Sequence, residues 1–402
     1  MPLKAIITLV CAGLIIFLSM GTRQSMGLFL APMSSDLGFG REVFALALAI
    51  QNLMSGLMQP ITGAIADKFG AKRVAFIGGT LYVIGLLITA FADSALDLYA
   101  GTGFIIGLAG TGTTFAVVLG AIGRLVPKEK RSLALGMGSA AASMGQLVIA
   151  PISQGLISDF GWSMSLVILA VMVGAIVPLA AALTGKPDET SFPDEVEQTL
   201  KQALCEAGAH SGYRLLTVAY FVCGFQIAFI AVHFPAFLND QGLPPGLAGT
   251  AIGLIGLFNI FGTIGFGWLG GRYSKKLLLS GIYFARSVTF IIFLRAPITE
   301  TSVLIFASVI GILWLSTVPL TGGLIAQVFG VRYMATLFGI TFLSHQIGSF
   351  MGAWLGGFLF DSTGSYDLMW TFIIATGLIA TIMHLPIRDK PIQRAAPTEA
   401  KK

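Results

Sequence analysis

The run GAIADKFGAKR, Gly63 to Arg73, returns in altered form as GWLGGRYSKK, Gly267 to Lys276, 204 residues further along the chain. Each copy ends a long apolar stretch on glycine and follows it with a basic cluster. A second pair, GLISDFGW (Gly155 to Trp162) and GFLFDSTG (Gly357 to Gly364), repeats at an offset of 202. Two marks at nearly one spacing indicate a duplicated unit. Parallel duplications of this kind are typical of membrane carriers that rock two bundles about a site near the bilayer midplane.

The residues between these marks support a membrane protein. The chain is 55% apolar and 11% charged, against roughly 25% charged residues in a soluble domain. Twelve apolar segments are each long enough to cross a hydrocarbon layer of about 30 Å as a helix. They fall near 5–31, 42–66, 73–92, 96–123, 132–157, 162–184, 213–238, 247–270, 276–295, 301–329, 334–360 and 367–386. The expected fold is therefore an all-α membrane protein, with twelve transmembrane helices in two pseudo-symmetric six-helix bundles. Its expected divisions are a first bundle over 1–184, a linker over 185–212, a second bundle over 213–388 and a tail over 389–402. Within the linker Asp194 and Glu197 have the spacing of a capping box, and Val196, Leu200 and Leu204 share a helical face. That pattern suits a short surface helix, and a flexible tether suits the composition equally.

Charge sets the expected orientation. With a cytoplasmic N-terminus, 20 of the 24 Lys and Arg fall on the cytoplasmic side. Arg41 and Arg295 fall outside, and Arg23 and Arg286 lie within spans. The positive-inside rule then puts both termini in the cytoplasm of a cell whose inner membrane holds the protein. The net charge of +5 is thus topological and implies no nucleic-acid partner. Cys11, Cys205 and Cys223 have no paired or metal-ligand spacing, so neither a disulfide framework, a metal nor a cofactor is expected. The N-terminal apolar run reads as the first span rather than as a cleaved signal.

Taken together, GAIADKFGAKR and the duplicated six-helix plan resemble the major facilitator superfamily over essentially the whole chain. The run is similar to that family's G-x-L-A-D-R-x-G-R-K-x loop between helices two and three. The resemblance implies a cytoplasmic gate formed by Gly63, Asp67, Gly70 and Arg73, in which Asp67 pairs with basic groups or a helix N-terminus in one state and releases them in another. In the second copy Gly271 stands in place of the aspartate, so the two gates are not equivalent. The resemblance also implies a monomeric transporter and not an enzyme, and no nucleophile and base pair argues otherwise.

Arg23, in MGTRQSMGLFLAP (Met20 to Pro32), is the residue that most needs explaining. A charge at the bilayer centre costs roughly 2.5 to 3.5 kcal/mol on insertion scales. Ser19, Arg23 and Gly27 share one helical face, while none of the 19 carboxylates lies deep in a span. An anionic cargo would complete the missing pair, since a guanidinium grips a carboxylate with two hydrogen bonds. Beside it Gln24, with Thr114, Gln226, His345 and Gln346 from other spans, is a candidate to line the same site. Arg286 is open to two readings, a structural bond to neighbouring helices or a place on the anion path. His345 and His233 are the titratable groups available to handle a proton.

Among branches of the superfamily, the chain most resembles the monocarboxylate porters and the oxalate/formate-type exchangers. TRQSMGLFL falls where the former carry a substrate-contacting lysine. LFNIFGTIGFG, Leu257 to Gly267, resembles their D-x-x-x-R-P-x-x-G segment, with Asn259 and Thr263 replacing the acid and the base. The expected function is secondary active transport of a small organic anion, with a monocarboxylate as the leading class, by proton symport or anion exchange. The competing expectation is a proton-driven drug or metabolite exporter. Exporters of that type carry an arginine in the fourth span where Gly103 stands here.

Overall fold

The computed structural model describes residues 3–113, 128–183, 199–330 and 333–392. Among these, nine helical stretches are long and apolar enough to cross a membrane. One of them, Ala140–Ala182, contains two spans, turned at Gly161, whose φ of 75° and ψ of 170° interrupt the helix Lys128–Gly174. The remaining spans of the twelve are the fourth, described over Ala95–Leu98, Tyr99–Ile105 and Ile106–Thr113, and the eleventh, Met334–Thr363. The chain is thus a twelve-span, all-helical membrane protein built as two six-helix bundles.

The first and tenth spans depart from plain helices in ways that bear on the site. The first runs from Leu3–Ser25 through a 3-10 turn at Met26–Phe29 into Leu30–Leu37. It therefore continues past the expected end, and Arg23 stands near the middle of the stretch Ile6–Leu37. The tenth is broken into Glu300–Leu313 and Thr317–Phe329. Pro319 contributes to the break because it has no N–H to give the carbonyl four residues earlier. Between the halves a short helix spans Leu200–Ala209, with Thr199 and Gln202 forming a capping box. Asp194, Val196 and Glu197 lie outside the described residues.

The duplication is visible in packing as well as in sequence. A side chain at Gly145 of the fifth span would strike the carbonyl of Phe17 in the first. Gly348 of the eleventh span meets Phe221 of the seventh in the same way. Tyr82 donates to the Ser19 carbonyl at 3.2 Å, and Tyr283 donates to the Ala219 carbonyl at 3.1 Å. Small residues at these crossings let backbones approach closely, which in lipid replaces the hydrophobic drive available in water.

Where the bundles meet, one device occurs twice. Pro235 in the seventh span cannot donate to the carbonyl of Ala231, and Gly27 of the first span lies against that carbonyl. Pro151 in the fifth span leaves the carbonyl of Leu147 in the same state, and Gly253 of the eighth span lies against it. Weak Cα–H···O contacts suit such crossings.

Candidate functional site

Arg23 is half-buried, and its Nη2 donates to Oδ1 of Asn52 in the second span at 2.6 Å. A guanidinium has five N–H donors, and among the described residues this is the one bond Arg23 makes. The same Asn52 connects the two bundles, because its backbone carbonyl accepts from Nε2 of Gln346 in the eleventh span at 2.8 Å. Gln346 Oε1 lies 3.1 Å from Nδ1 of His345, and Ser349 lies 3.4 Å from the same nitrogen. Gly56 allows this crossing, since a Cβ there would strike Gln346. Three candidates, Arg23, Gln346 and His345, are thereby joined through Asn52 in one polar chain from the first bundle to the second. Ser19, one turn before Arg23, bonds Thr113 of the fourth span at 2.8 Å. Gln24 is half-buried next to Arg23, and Thr114 lies outside the described residues.

Arg286 is arranged in the opposite way. It is 2% exposed, and its Nε and Nη2 donate to the Leu313 carbonyl at 3.2 and 2.6 Å. Nη2 also reaches the Trp314 carbonyl at 2.5 Å, while Nη1 reaches Gln226 Oε1 at 3.3 Å and Cys223 Sγ at 3.4 Å. The Tyr283 ring lies 5.5 Å from its guanidinium carbon, a cation–π distance. These bonds serve the carbonyls freed where the tenth span breaks. Gln226 is occupied at both ends, since its Nε2 donates to the Ile373 carbonyl at 2.9 Å. These contacts are of the kind expected on the first sequence reading of Arg286, a structural bond to neighbouring helices. Pro319 and the Ser316–Thr317 pair were the sequence signals for the break.

The motif residues expected to form a gate lie at the opposite end of the second and third spans from Gly38. Gly70 turns the chain there with φ of 92°, which a side chain would strain. Gly63 has open space beside it, and Arg73 is exposed. The side chain of Asp67 lies outside the described residues.

A cluster at the Gly38 end was not anticipated as a unit. Arg41 grips Asp240 of the seventh span with two bonds of 2.6 Å and places its guanidinium carbon 3.8 Å from the centre of the Phe360 ring. The carboxylate of Asp361, at the end of the eleventh span, accepts from the backbone N–H of Arg41 at 2.9 Å and of Glu42 at 2.8 Å. It thereby caps the N-terminus of the second span from the other bundle, where the helix dipole favours an anion. Trp354 donates to Glu42 at 2.8 Å. Gly40 and Gly357 make room, for a Cβ on either would strike Asp361 or the Glu42 backbone. The available signal was Arg41 itself, one of two basic residues on the sparsely charged side. In the first half the counterpart of Asp361 is Asp159, and the helix end equivalent to that of the second span starts at Pro245 after Pro244, so it offers one N–H fewer than the pair from Arg41 and Glu42.

The family model described as Major Facilitator Superfamily matches residues 12–353 and 216–402. Mouse monocarboxylate transporter 11 is 27% identical over 379 residues, covering 90% of this chain and 82% of its own. Rat monocarboxylate transporter 13 is 25% identical, covering 85% and 79%. An uncharacterized MFS-type transporter of Bacillus subtilis, YcxA, is 24% identical, covering 92% and 91%. The fold is similar to a crystal structure of a bacterial homologue of the human lysosomal transporter Spinster in an inward-facing, unoccupied conformation. The TM-score is 0.70 at 15% identity, covering 96% of this chain and 94% of that one.

Proposed function

This chain belongs to the Major Facilitator Superfamily, and from that premise we propose that it carries a small organic anion, a monocarboxylate, by alternating access of its two bundles. One observation carries the reading. Arg23, at mid-span beside the junction of the bundles, spends one of its donors among the described residues, on a neutral amide oxygen, and this leaves hydrogen-bonding capacity and charge for a carboxylate. Arg286, by contrast, spends its donors on carbonyls and holds the broken tenth span in shape.

Other features agree. Several relatives are named as monocarboxylate transporters, and Gln346 and His345 bring second-bundle polar groups to Asn52, next to Arg23. The uneven distribution of Lys and Arg favours the cytoplasmic membrane face for both termini. On that orientation the Arg41 cluster seals the outer end, and Asp67 with Arg73 forms the inner gate of a chain divided at the 185–212 linker. A drug exporter for cationic cargo would call for a deep carboxylate, and the sequence places none at depth.

The test is uptake into proteoliposomes of radiolabelled mono- and dicarboxylates. Arg23→Gln is expected to reduce anion uptake by about tenfold to a hundredfold, the value of one charge-assisted pair, while eluting as a folded protein in size-exclusion chromatography. Undiminished uptake by that variant would overturn the assignment.

A further inference from the structure

The cluster at the Gly38 end continues inward to a buried histidine. His233, in the seventh span two turns before Asp240, is 0% exposed. Its Nε2 lies 2.7 Å from the Ala353 carbonyl, and its Nδ1 lies 3.1 Å from the Tyr366 hydroxyl. That hydroxyl accepts from Arg41 Nη1 at 3.0 Å, on the same nitrogen that grips Asp240. Gly356 presses on the ring, for a Cβ there would strike its Cδ2 and Nε2. The imidazole is held in one orientation.

Hydrogen-bond chemistry then fixes its protonation in this arrangement. A carbonyl oxygen only accepts, so Nε2 carries a hydrogen for Ala353. The Tyr366 oxygen receives an N–H from Arg41, and in the neutral ring the single phenolic hydrogen is directed to Nδ1. The neutral ring is thus the form that gives every donor and acceptor of this set a partner while Arg41 is docked. A second proton on Nδ1 would turn that nitrogen into a donor toward the oxygen Arg41 already uses. Two cations would then share one phenol oxygen, and the phenolic hydrogen would lose its acceptor. Their mutual repulsion is poorly screened at a site with no exposure.

The surrounding charges do not relieve this conflict. From the seventh span comes Asp240, occupied by Arg41. From the eleventh comes Asp361, occupied by the N–H groups of Arg41 and Glu42. From the second come Arg41 and Glu42, the latter bonded by Trp354. The twelfth span contributes Tyr366 and the Trp370 ring, on which Phe229 packs beside His233.

We propose that His233 is a proton-binding site coupled through Tyr366 to the Arg41–Asp240 latch, taking its second proton as Arg41 withdraws and giving it up as Arg41 returns. Opening the Gly38 end then binds one proton, and closing it releases one. The proton reaches Nδ1 through the hydroxyl of Tyr366, which passes its own hydrogen to the ring and takes another from a hydronium ion in the water admitted when the latch parts, leaving a water molecule behind. Since the open state binds the extra proton, acid favours opening and alkali favours closure. This coupling rests on alternation of the bundles and not on the identity of the cargo.

The test needs no substrate. Spin labels at Ser35→Cys and Asn239→Cys, both exposed and on opposite sides of the latch, report its width by pulsed dipolar spectroscopy in nanodiscs, with Cys11 and Cys205 replaced by serine. Between pH 8 and pH 5.5 the wild-type distance distribution is expected to shift toward the longer population. The ratio should change by at most about tenfold per pH unit, the limit for one linked proton. His233→Gln, which retains an acceptor for Tyr366 and a donor for Ala353 but does not titrate, is expected to stay closed across the range. Tyr366→Phe, which cuts the link and keeps the ring, is expected to lose the pH step too, and Arg41→Gln is expected to be open at both ends of it. A wild-type distribution that ignores pH would overturn the proposal, as would a full pH step in folded His233→Gln or Tyr366→Phe. Arg23→Gln should keep the step, so failure of the anion reading and failure of this one are separable.

Discussion

Gln226 lies 203 residues after Arg23, the same interval that separates Gly145 from Gly348. The two halves thus put an amide in the seventh span where the first carries a guanidinium. The amide serves the protein, receiving Arg286 at 3.3 Å, whereas the guanidinium makes one bond among the described residues, to Asn52. Duplication supplied two equivalent positions, and one has become internal support while the other retains unmet charge.

Asn52→Asp tests what that unmet charge is for. A carboxylate placed 2.6 Å from Nη2 of Arg23 would neutralise the arginine from within. Thermal stability is expected to rise while the half-saturating concentration for an anion rises about tenfold or more, the cost of losing one charge-assisted contact. Unfolding curves and uptake kinetics on one preparation read both signs, and a variant with unchanged affinity would place recognition elsewhere.

Removing Arg286 should produce the opposite pattern. Arg286→Met leaves the carbonyls of Leu313 and Trp314 without their donor at a buried break. A loss of about 3 kcal/mol is expected from bonds to a charged group, seen as a lower unfolding temperature. Transport per folded molecule should persist with little change in substrate affinity.

Gly27→Val puts bulk on the Ala231 carbonyl, between the first and seventh spans. The two bundles should then fail to close at the Gly38 end. Transport is expected to fall more than about tenfold while membrane insertion is normal, because the clash arises between bundles rather than within one. Labels at Ser35 and Asn239 should report the long distance at every pH.

Gly161 serves chain direction rather than chemistry. Its φ of 75° with ψ of 170° is a region open essentially to glycine, and a Cβ there would meet nothing within 4 Å. Gly161→Ala is expected to cost about 1–3 kcal/mol through backbone strain alone, read from thermal unfolding, with substrate affinity unaltered.

The twelve spans and their duplication were legible in the sequence because both rest on period and composition. Gly63 and Gly267 mark matching helix ends whatever lies between them. The deep arginines were legible as anomalies, since each breaks an apolar run. Their partners were not, because Arg286 binds backbone carbonyls, which every residue possesses and no pattern advertises. The Arg41, Asp240, Asp361 and Tyr366 cluster escaped for another reason. Each residue looked like an ordinary loop-edge group, and only folding brings together positions separated by 199 to 325 residues. The motif glycines Gly63 and Gly70 were identified as features of a helix end, while their partners across the gate were not readable from spacing.

The glycines that lie against proline-freed carbonyls also bear on speed. Had the bundles been joined there by ordinary hydrogen bonds, each would have to break before the halves could turn. Ala231 and Leu147 instead face bare Cα atoms, whose attraction is worth about half of such a bond and fades smoothly with distance. At these two crossings the interface works like a shallow detent, firm enough to register a position and soft enough to leave it, so hold on the closed state falls to the few directional bonds between the bundles, from Gln146, Asn259 and Gln346 to the rim of charges around Arg41.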